Sequence, residues 1–129
     1  SVDNATCLAT IKDVFDKHGY LIDPHTAVAY KAAERLKGEN PVLIASTAHW
    51  AKFGENVYRA LHSMAPASDL PAEVASLSGC ELNELIAKET NQTHIPAGLA
   101  ELDRLPIRFK TIIDGNVAAI ESAVDEFLS

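Results

Sequence analysis

The chain has 129 residues, 47% of them hydrophobic, and its 18 acidic and 11 basic residues give a formal net charge of −7. A chain of this length can bury one ordinary core, so we expect a single domain. The acidic balance disfavours nucleic acid as a partner, because phosphate binding needs a concentrated basic surface. No apolar stretch approaches the roughly 18 residues of a membrane span, and no secretory signal pattern is visible. We therefore predict a cytoplasmic protein that binds neither nucleic acid nor membrane.

The first half of the chain has the patterns of three amphipathic helices. Apolar residues recur at helical spacing over residues 6–17. Asp23 and Pro24 are typical of an N-cap and a first helical position, and they predict a second helix over residues 24–37. A third helix is predicted over residues 51–63.

Two segments have the composition of β-strands. Residues 42–45 form an uninterrupted aliphatic run, which is typical of a strand buried on both faces of a parallel sheet. Residues 107–113 alternate apolar and polar side chains before two isoleucines, which predicts a second strand. The succession of helix, strand and helix predicts an α/β, doubly wound fold with two to three short strands and six to seven helices.

The second half of the chain is predicted to be mainly helical. A short helical stretch should end at Leu77, and further helices are predicted over residues 81–88 and 98–104. The turn at residues 114–116 leads into a last helix whose apolar residues are spaced for one face.

Polar side chains follow the first predicted strand directly. Ser46, Thr47 and His49 come where the aliphatic run ends. In open α/β sheets ligands bind just beyond the carboxyl ends of the strands, so this position predicts a ligand site. Serine and threonine also close strands and open turns where no ligand binds, and this alternative stays open.

Glycine and cysteine usage limits the chemistry that the chain can carry. The six glycines are far apart, so no loop can wrap a phosphate with its backbone amides. Cys7 and Cys80 have no second cysteine or histidine at ligand spacing, which argues against a metal site or a disulfide framework. A sheet of only two strands is seldom stable, so we expect the chain to be part of a larger protein.

Two motifs together resemble a known family. The run Gly-Tyr-Leu-Ile-Asp-Pro-His-Thr-Ala-Val-Ala-Tyr stands at residues 19–30, and it is followed by Ser-Thr-Ala-His at 46–49 and Ala-Lys-Phe at 51–53. This pair resembles the carboxyl-terminal part of threonine synthases, which are fold type II pyridoxal-phosphate enzymes. The resemblance is strongest over residues 6–62. Many relatives have proline or glycine after the motif histidine, whereas this chain has Trp50, which we expect to pack against the third helix.

The resemblance implies an activity for the intact enzyme rather than for this chain alone. The family converts O-phospho-L-homoserine and water to L-threonine and phosphate, using pyridoxal phosphate. Its Schiff-base lysine and its phosphate-binding loop lie upstream of the part that this chain resembles, so we expect the chain alone to be inactive and not to hold the cofactor. Residues 1–64 would be part of the cofactor domain, and residues 65–129 would be a helical extension with one strand.

The resemblance also gives each candidate site residue a role. Thr47 matches the family's threonine, whose hydroxyl would face the pyridine nitrogen of the cofactor. Ser46 is the alternative residue for that contact. His49 could shape the cofactor pocket or simply cap the turn. We predict no catalytic residue and no metal ligand in the chain itself. His25 and Thr26 are predicted to act in the capping of the second helix.

The expected partners are the remainder of the threonine synthase chain and the enzyme's small-molecule substrate. The alternative is a non-catalytic interaction or regulatory α/β domain that keeps the helices of the fold for docking. Exposed apolar surface, which would also allow a homo-oligomer, fits either interpretation.

Overall fold

Helices make up the regular structure of the chain. The computed structural model describes residues 1–36, 38, 40–92 and 94–129. The described residues form α1 (Asn4–His18), α2 (Pro24–Leu36), a 3₁₀ helix (Trp50–Phe53), α3 (Gly54–Leu61), α4 (Ala72–Ala75), α5 (Gly79–Thr90), α6 (Ala97–Ala100), a second 3₁₀ helix (Leu102–Arg104) and α7 (Val117–Leu128). Each predicted helix is confirmed, with shifted ends. The predicted end of the second helix at Lys37 lies outside the described residues.

Local hydrogen bonds fix where several helices begin and end. The Asp3 carboxylate accepts from the Thr6 amide at 2.7 Å and so caps α1. Gly19 ends α1 in the left-handed region at a φ of 64°, which glycine adopts without steric cost. Ser78 and Glu81 form a reciprocal capping box at the start of α5.

The first three α-helices enclose one apolar cluster. Helix α1 packs against both α2 and α3. The buried side chains of this cluster are Cys7, Leu8, Ile11, Val14, Ile22, Ala27 and Ala60. Ala27 is completely buried, so the small residues of α2 allow its close approach to α1.

A second cluster centres on Trp50 and links α3 to the helices that follow. Its buried members are Leu21, Trp50, Ala51, Val57, Tyr58, Val74, Leu82 and Ile86. The side-chain amide of Asn83 donates to the Ala51 carbonyl at 2.8 Å, which ties α5 to the first 3₁₀ helix. Trp50 is 4% exposed and shares this cluster with Val57 and Tyr58 of α3, which agrees with its predicted packing against the third helix. Its burial anchors the segment that precedes it.

The predicted α/β fold is wrong, because no strand is present in the described part of the chain. Val42 and Leu43 are 53% and 97% exposed in an irregular segment, and residues 107–113 are irregular and exposed as well. A strand is stabilised by hydrogen bonds to a neighbouring strand, and neither segment has such a neighbour among the described residues. Apolar composition predicted that these segments would be buried, and it says nothing about whether a pairing partner lies beside them.

The end of the chain exposes much of its apolar surface. Helix α7 has no buried residue, and its apolar side chains Val117, Ile120, Val124 and Phe127 are all exposed. None of the described helices is both long and apolar enough to cross a bilayer.

Candidate functional site

The segment of residues 46–49 runs into the first 3₁₀ helix and is held there by the buried Trp50. Ser46 and Thr47 are exposed, and His49 is half-buried. The segment is irregular, so these side chains do not stand at the end of a strand as predicted. Their placement depends instead on contacts with α2 and with the 3₁₀ helix.

Ser46 and His49 line a cavity of about 360 Å³. Tyr20, Gln92 and His94 also line this cavity. Thr47 lies between Ser46 and His49 in the sequence, but it is not among the described residues that line this cavity. The structure therefore brings two of the three predicted residues to one cavity and leaves the third at the surface.

Asp23 is the buried centre of the hydrogen bonds beside this cavity. Asp23 is 1% exposed, and its carboxylate accepts from the His25 amide at 2.9 Å and from the Thr26 hydroxyl. The imidazole Nδ1 of His25 lies 2.9 Å from the same carboxylate. Burial raises the pKa of Asp23, but the hydrogen bonds from Thr26 and His25 outweigh burial, so the pKa lies below its ordinary value. Asp23 is therefore an ionised acceptor at neutral pH.

A contact between hydroxyls joins the two motifs of the sequence. Thr26 Oγ1 lies 3.0 Å from Ser46 Oγ, across 20 residues of chain. Ser46 thus belongs to the Asp23 hydrogen-bond network. Sequence reasoning assigned Asp23, His25 and Thr26 to helix capping alone, and capping is confirmed for Asp23 by its bond to the His25 amide. In the sequence, the joint occurrence of the motifs at residues 19–30 and 46–49 was the feature that could have indicated this wider network.

His49 presents one ring nitrogen to the backbone. Its Nδ1 accepts from the Ala51 amide at 3.2 Å, so the proton of the neutral ring is assigned to Nε2. Burial, and next the electrostatic influence of nearby His94, lower the pKa of His49. A neutral His49 therefore offers an N–H donor, while its ring lies against Trp50 with 5.2 Å between ring centroids.

His25 contacts Asp23 through its Nδ1, and its side chain is mostly exposed. Its ring centroid is 5.0 Å from that of Phe53, so Ala-Lys-Phe at 51–53 also contacts the first motif. The three sequence segments that carried the resemblance therefore meet in the structure.

The described helices and a small cavity lined by hydroxyl and imidazole groups therefore replace the sheet-edge site that the sequence predicted. The model for the family "Threonine synthase, C-terminal" matches residues 26–124 of this chain. The chain belongs to that family.

Individual relatives agree with this assignment. The chain is 36% identical over 102 residues to "Threonine synthase" of Pseudomonas aeruginosa, which covers 78% of this chain and 19% of the relative. It is 48% identical over 56 residues to mouse "Threonine synthase-like 1" and 46% identical over 56 residues to the human protein of the same name. Each of those two matches covers 43% of this chain and 8% of the relative, so the chain spans a small part of the length of its relatives. No solved structure matches it significantly.

Proposed function

We propose that this chain is the carboxyl-terminal part of an enzyme that converts O-phospho-L-homoserine and water to L-threonine and phosphate with pyridoxal phosphate. The family match over residues 26–124 carries the proposal, because it includes Thr26 and the whole 46–49 segment. The 36% identity to the Pseudomonas aeruginosa relative supports it over a similar length. The predicted cytoplasmic location belongs to the same proposal.

The donor groups of the 46–49 segment fit the ring of this cofactor. The Thr47 hydroxyl is exposed and has no hydrogen-bond partner among the described residues, so it is free to donate to a neutral pyridine nitrogen. His49 supplies an N–H donor at the neighbouring cavity. The described residues offer no glycine-rich cradle for the cofactor's phosphate.

In this proposal Thr47 would moderate the electron withdrawal by the cofactor ring. When bound, pyridoxal phosphate supplies the electron sink for carbanion chemistry at the substrate. A carboxylate beside the ring nitrogen would keep that nitrogen protonated, whereas the Thr47 hydroxyl would donate to the unprotonated form. Ser46 and His49 would shape the pocket around the cofactor ring. The burial of Trp50 would hold their backbone in place.

The rest of the active site is assigned to the remainder of the enzyme. The resemblance to the family puts the Schiff-base lysine and the phosphate loop upstream of the part represented here. The chain by itself is therefore expected to form neither a covalent adduct with the cofactor nor threonine. The remainder of the threonine synthase chain is the partner that completes the site.

Activity assays on two proteins test the proposal. The complete enzyme that contains this segment should release phosphate and L-threonine from O-phospho-L-homoserine, and the 129-residue chain should release neither. The chain is also titrated with pyridoxal phosphate while the absorbance of a lysine adduct is followed. If the complete enzyme forms no threonine, the proposed activity is refuted. If the 129-residue chain forms a stoichiometric adduct that one lysine substitution removes, the assignment of the Schiff-base lysine to the remainder of the enzyme is refuted.

The exposed apolar surface of α7 favours a second candidate function, that of a docking domain without catalysis. A docking domain would bind a partner through that surface whether or not the 46–49 segment is intact. The activity assay separates the two candidates, because a non-catalytic protein produces no threonine in its complete form.

A further inference from the structure

The hydroxyl of Ser46 is the outermost member of a chain of hydrogen bonds that starts at a buried charge. Asp23 is 1% exposed, Thr26 is 8% exposed, and Ser46 lies at the surface of the cavity. The Thr26 hydroxyl contacts Asp23 Oδ2 on one side and Ser46 Oγ at 3.0 Å on the other.

The direction of each hydrogen bond follows from the number of protons available. An ionised carboxylate can only accept, so the single hydroxyl proton of Thr26 is donated to Asp23. Thr26 Oγ1 then has only lone pairs to offer, and Ser46 must donate its own proton to Thr26. The competing contact from Ser46 Oγ to the Ala48 carbonyl is longer, at 3.4 Å. Ser46 therefore presents lone pairs, and no free proton, to the cavity.

We propose that Asp23 and Thr26 are positioning residues, which hold the Ser46 hydroxyl as a hydrogen-bond acceptor for an O–H group of the bound cofactor. This inference rests on the proposed function, because it assumes that the cavity is part of the cofactor site. It also separates the two adjacent hydroxyls by role. Ser46 accepts and cannot donate to a neutral pyridine nitrogen, which leaves that contact to Thr47.

The test measures the affinity of the complete apoenzyme for pyridoxal phosphate by absorbance titration. Valine has nearly the shape of threonine but no hydroxyl, so Thr26→Val interrupts the series of hydrogen bonds from Asp23 to Ser46. It should raise the Kd about 2- to 12-fold, the equivalent of one hydrogen bond. Thr26→Ser keeps the hydroxyl and should leave the Kd within about twofold. A role in packing alone would not predict this rescue.

A double-mutant cycle shows whether Thr26 acts through Ser46. Ser46→Ala should raise the Kd by a similar factor, and adding Thr26→Val to it should cause little further loss. If the increase in Kd of the double variant equals the product of the two single increases, the inference is overturned. An unchanged Kd in either single variant overturns it as well. If Thr26→Val does not fold by circular dichroism, Thr26→Ala replaces it, with the same outcomes.

The result also distinguishes this inference from the proposed function. A wild-type complete enzyme that binds no pyridoxal phosphate refutes the proposed function. Binding that is unaffected by Thr26→Val refutes only the positioning role of Asp23 and Thr26.

Discussion

At the residue scale, Asp23 connects the fold to the candidate site. The same carboxylate caps α2 through the His25 amide and fixes the hydroxyl of Thr26. It is buried without a lysine or arginine partner among the described residues, and hydrogen bonds stabilise its charge. Its loss should therefore affect both the stability of the chain and the orientation of Ser46.

We expect Asp23→Asn to lower the free energy of unfolding by about 1.5–3 kcal/mol at neutral pH, because hydrogen bonds to a charged acceptor are among the stronger ones. The pKa of Asp23 is lowered by folding, so its contribution is fully present above the unfolded pKa of about 3.9 and is lost as the pH falls through the folded pKa. Urea unfolding at neutral pH and at about pH 3 checks both points.

Asp125→Asn is the matched control, because Asp125 is exposed on α7. It should change the unfolding free energy by no more than about 0.5 kcal/mol at either pH. The interpretation of Asp23 fails if Asp23→Asn resembles this control at neutral pH, or if its full destabilisation persists in acid.

At the scale of elements, the start of α3 depends on close packing against α5. A Cβ added to Gly54 would lie 2.7 Å from Asn83 Oδ1. Asn83 cannot turn away without weakening the bond from its amide to the Ala51 carbonyl. We expect Gly54→Ala to destabilise the chain by about 1–3 kcal/mol.

Gly79→Ala provides the comparison in thermal or urea unfolding. Gly79 begins α5, and an added Cβ meets no atom within 4 Å. Alanine should be neutral or stabilising there by up to about 1 kcal/mol, because it favours the helix and restricts the unfolded chain. Equal effects of the two substitutions would argue against the close contact between Gly54 and Asn83.

The sequence predicted the helices well because their signals are local. Asp23-Pro24 and the glycine at position 19 mark ends that the structure has at those positions. The strands at 42–45 and 107–113 were predicted wrongly, since a strand depends on a neighbour that composition does not reveal. The contact of Thr26 with Ser46 could not be derived either, because it joins residues far apart in the chain. Only the resemblance had linked their motifs.

At the scale of the whole molecule, the exposed apolar surface of α7 is a departure from an ordinary globular domain. Val117 and Phe127 are 71% and 84% exposed on this helix. Such a surface is usually covered in a working protein. In the proposed enzyme the remainder of the chain would cover it, and in the chain alone a second copy could do so.

We therefore expect the 129-residue chain to associate at rising concentration in sedimentation velocity experiments. Phe127→Glu should weaken this association by placing a charge in the apolar surface. Ser122→Glu adds the same charge at an exposed polar position of α7 and should have less effect. A chain that remains monomeric at all concentrations would contradict the expected association.

In the proposed enzyme this chain would supply one wall of the pyridoxal-phosphate site through Thr47. The most direct test is the absorbance spectrum of the cofactor in the complete enzyme, compared among wild type, Thr47→Ala and Thr47→Ser. Removal of one hydrogen bond, a net effect of about 0.5–1.5 kcal/mol, should shift the spectrum in Thr47→Ala. Thr47→Ser retains the hydroxyl and should keep the wild-type spectrum. Identical spectra and rates in all three proteins would contradict the claim.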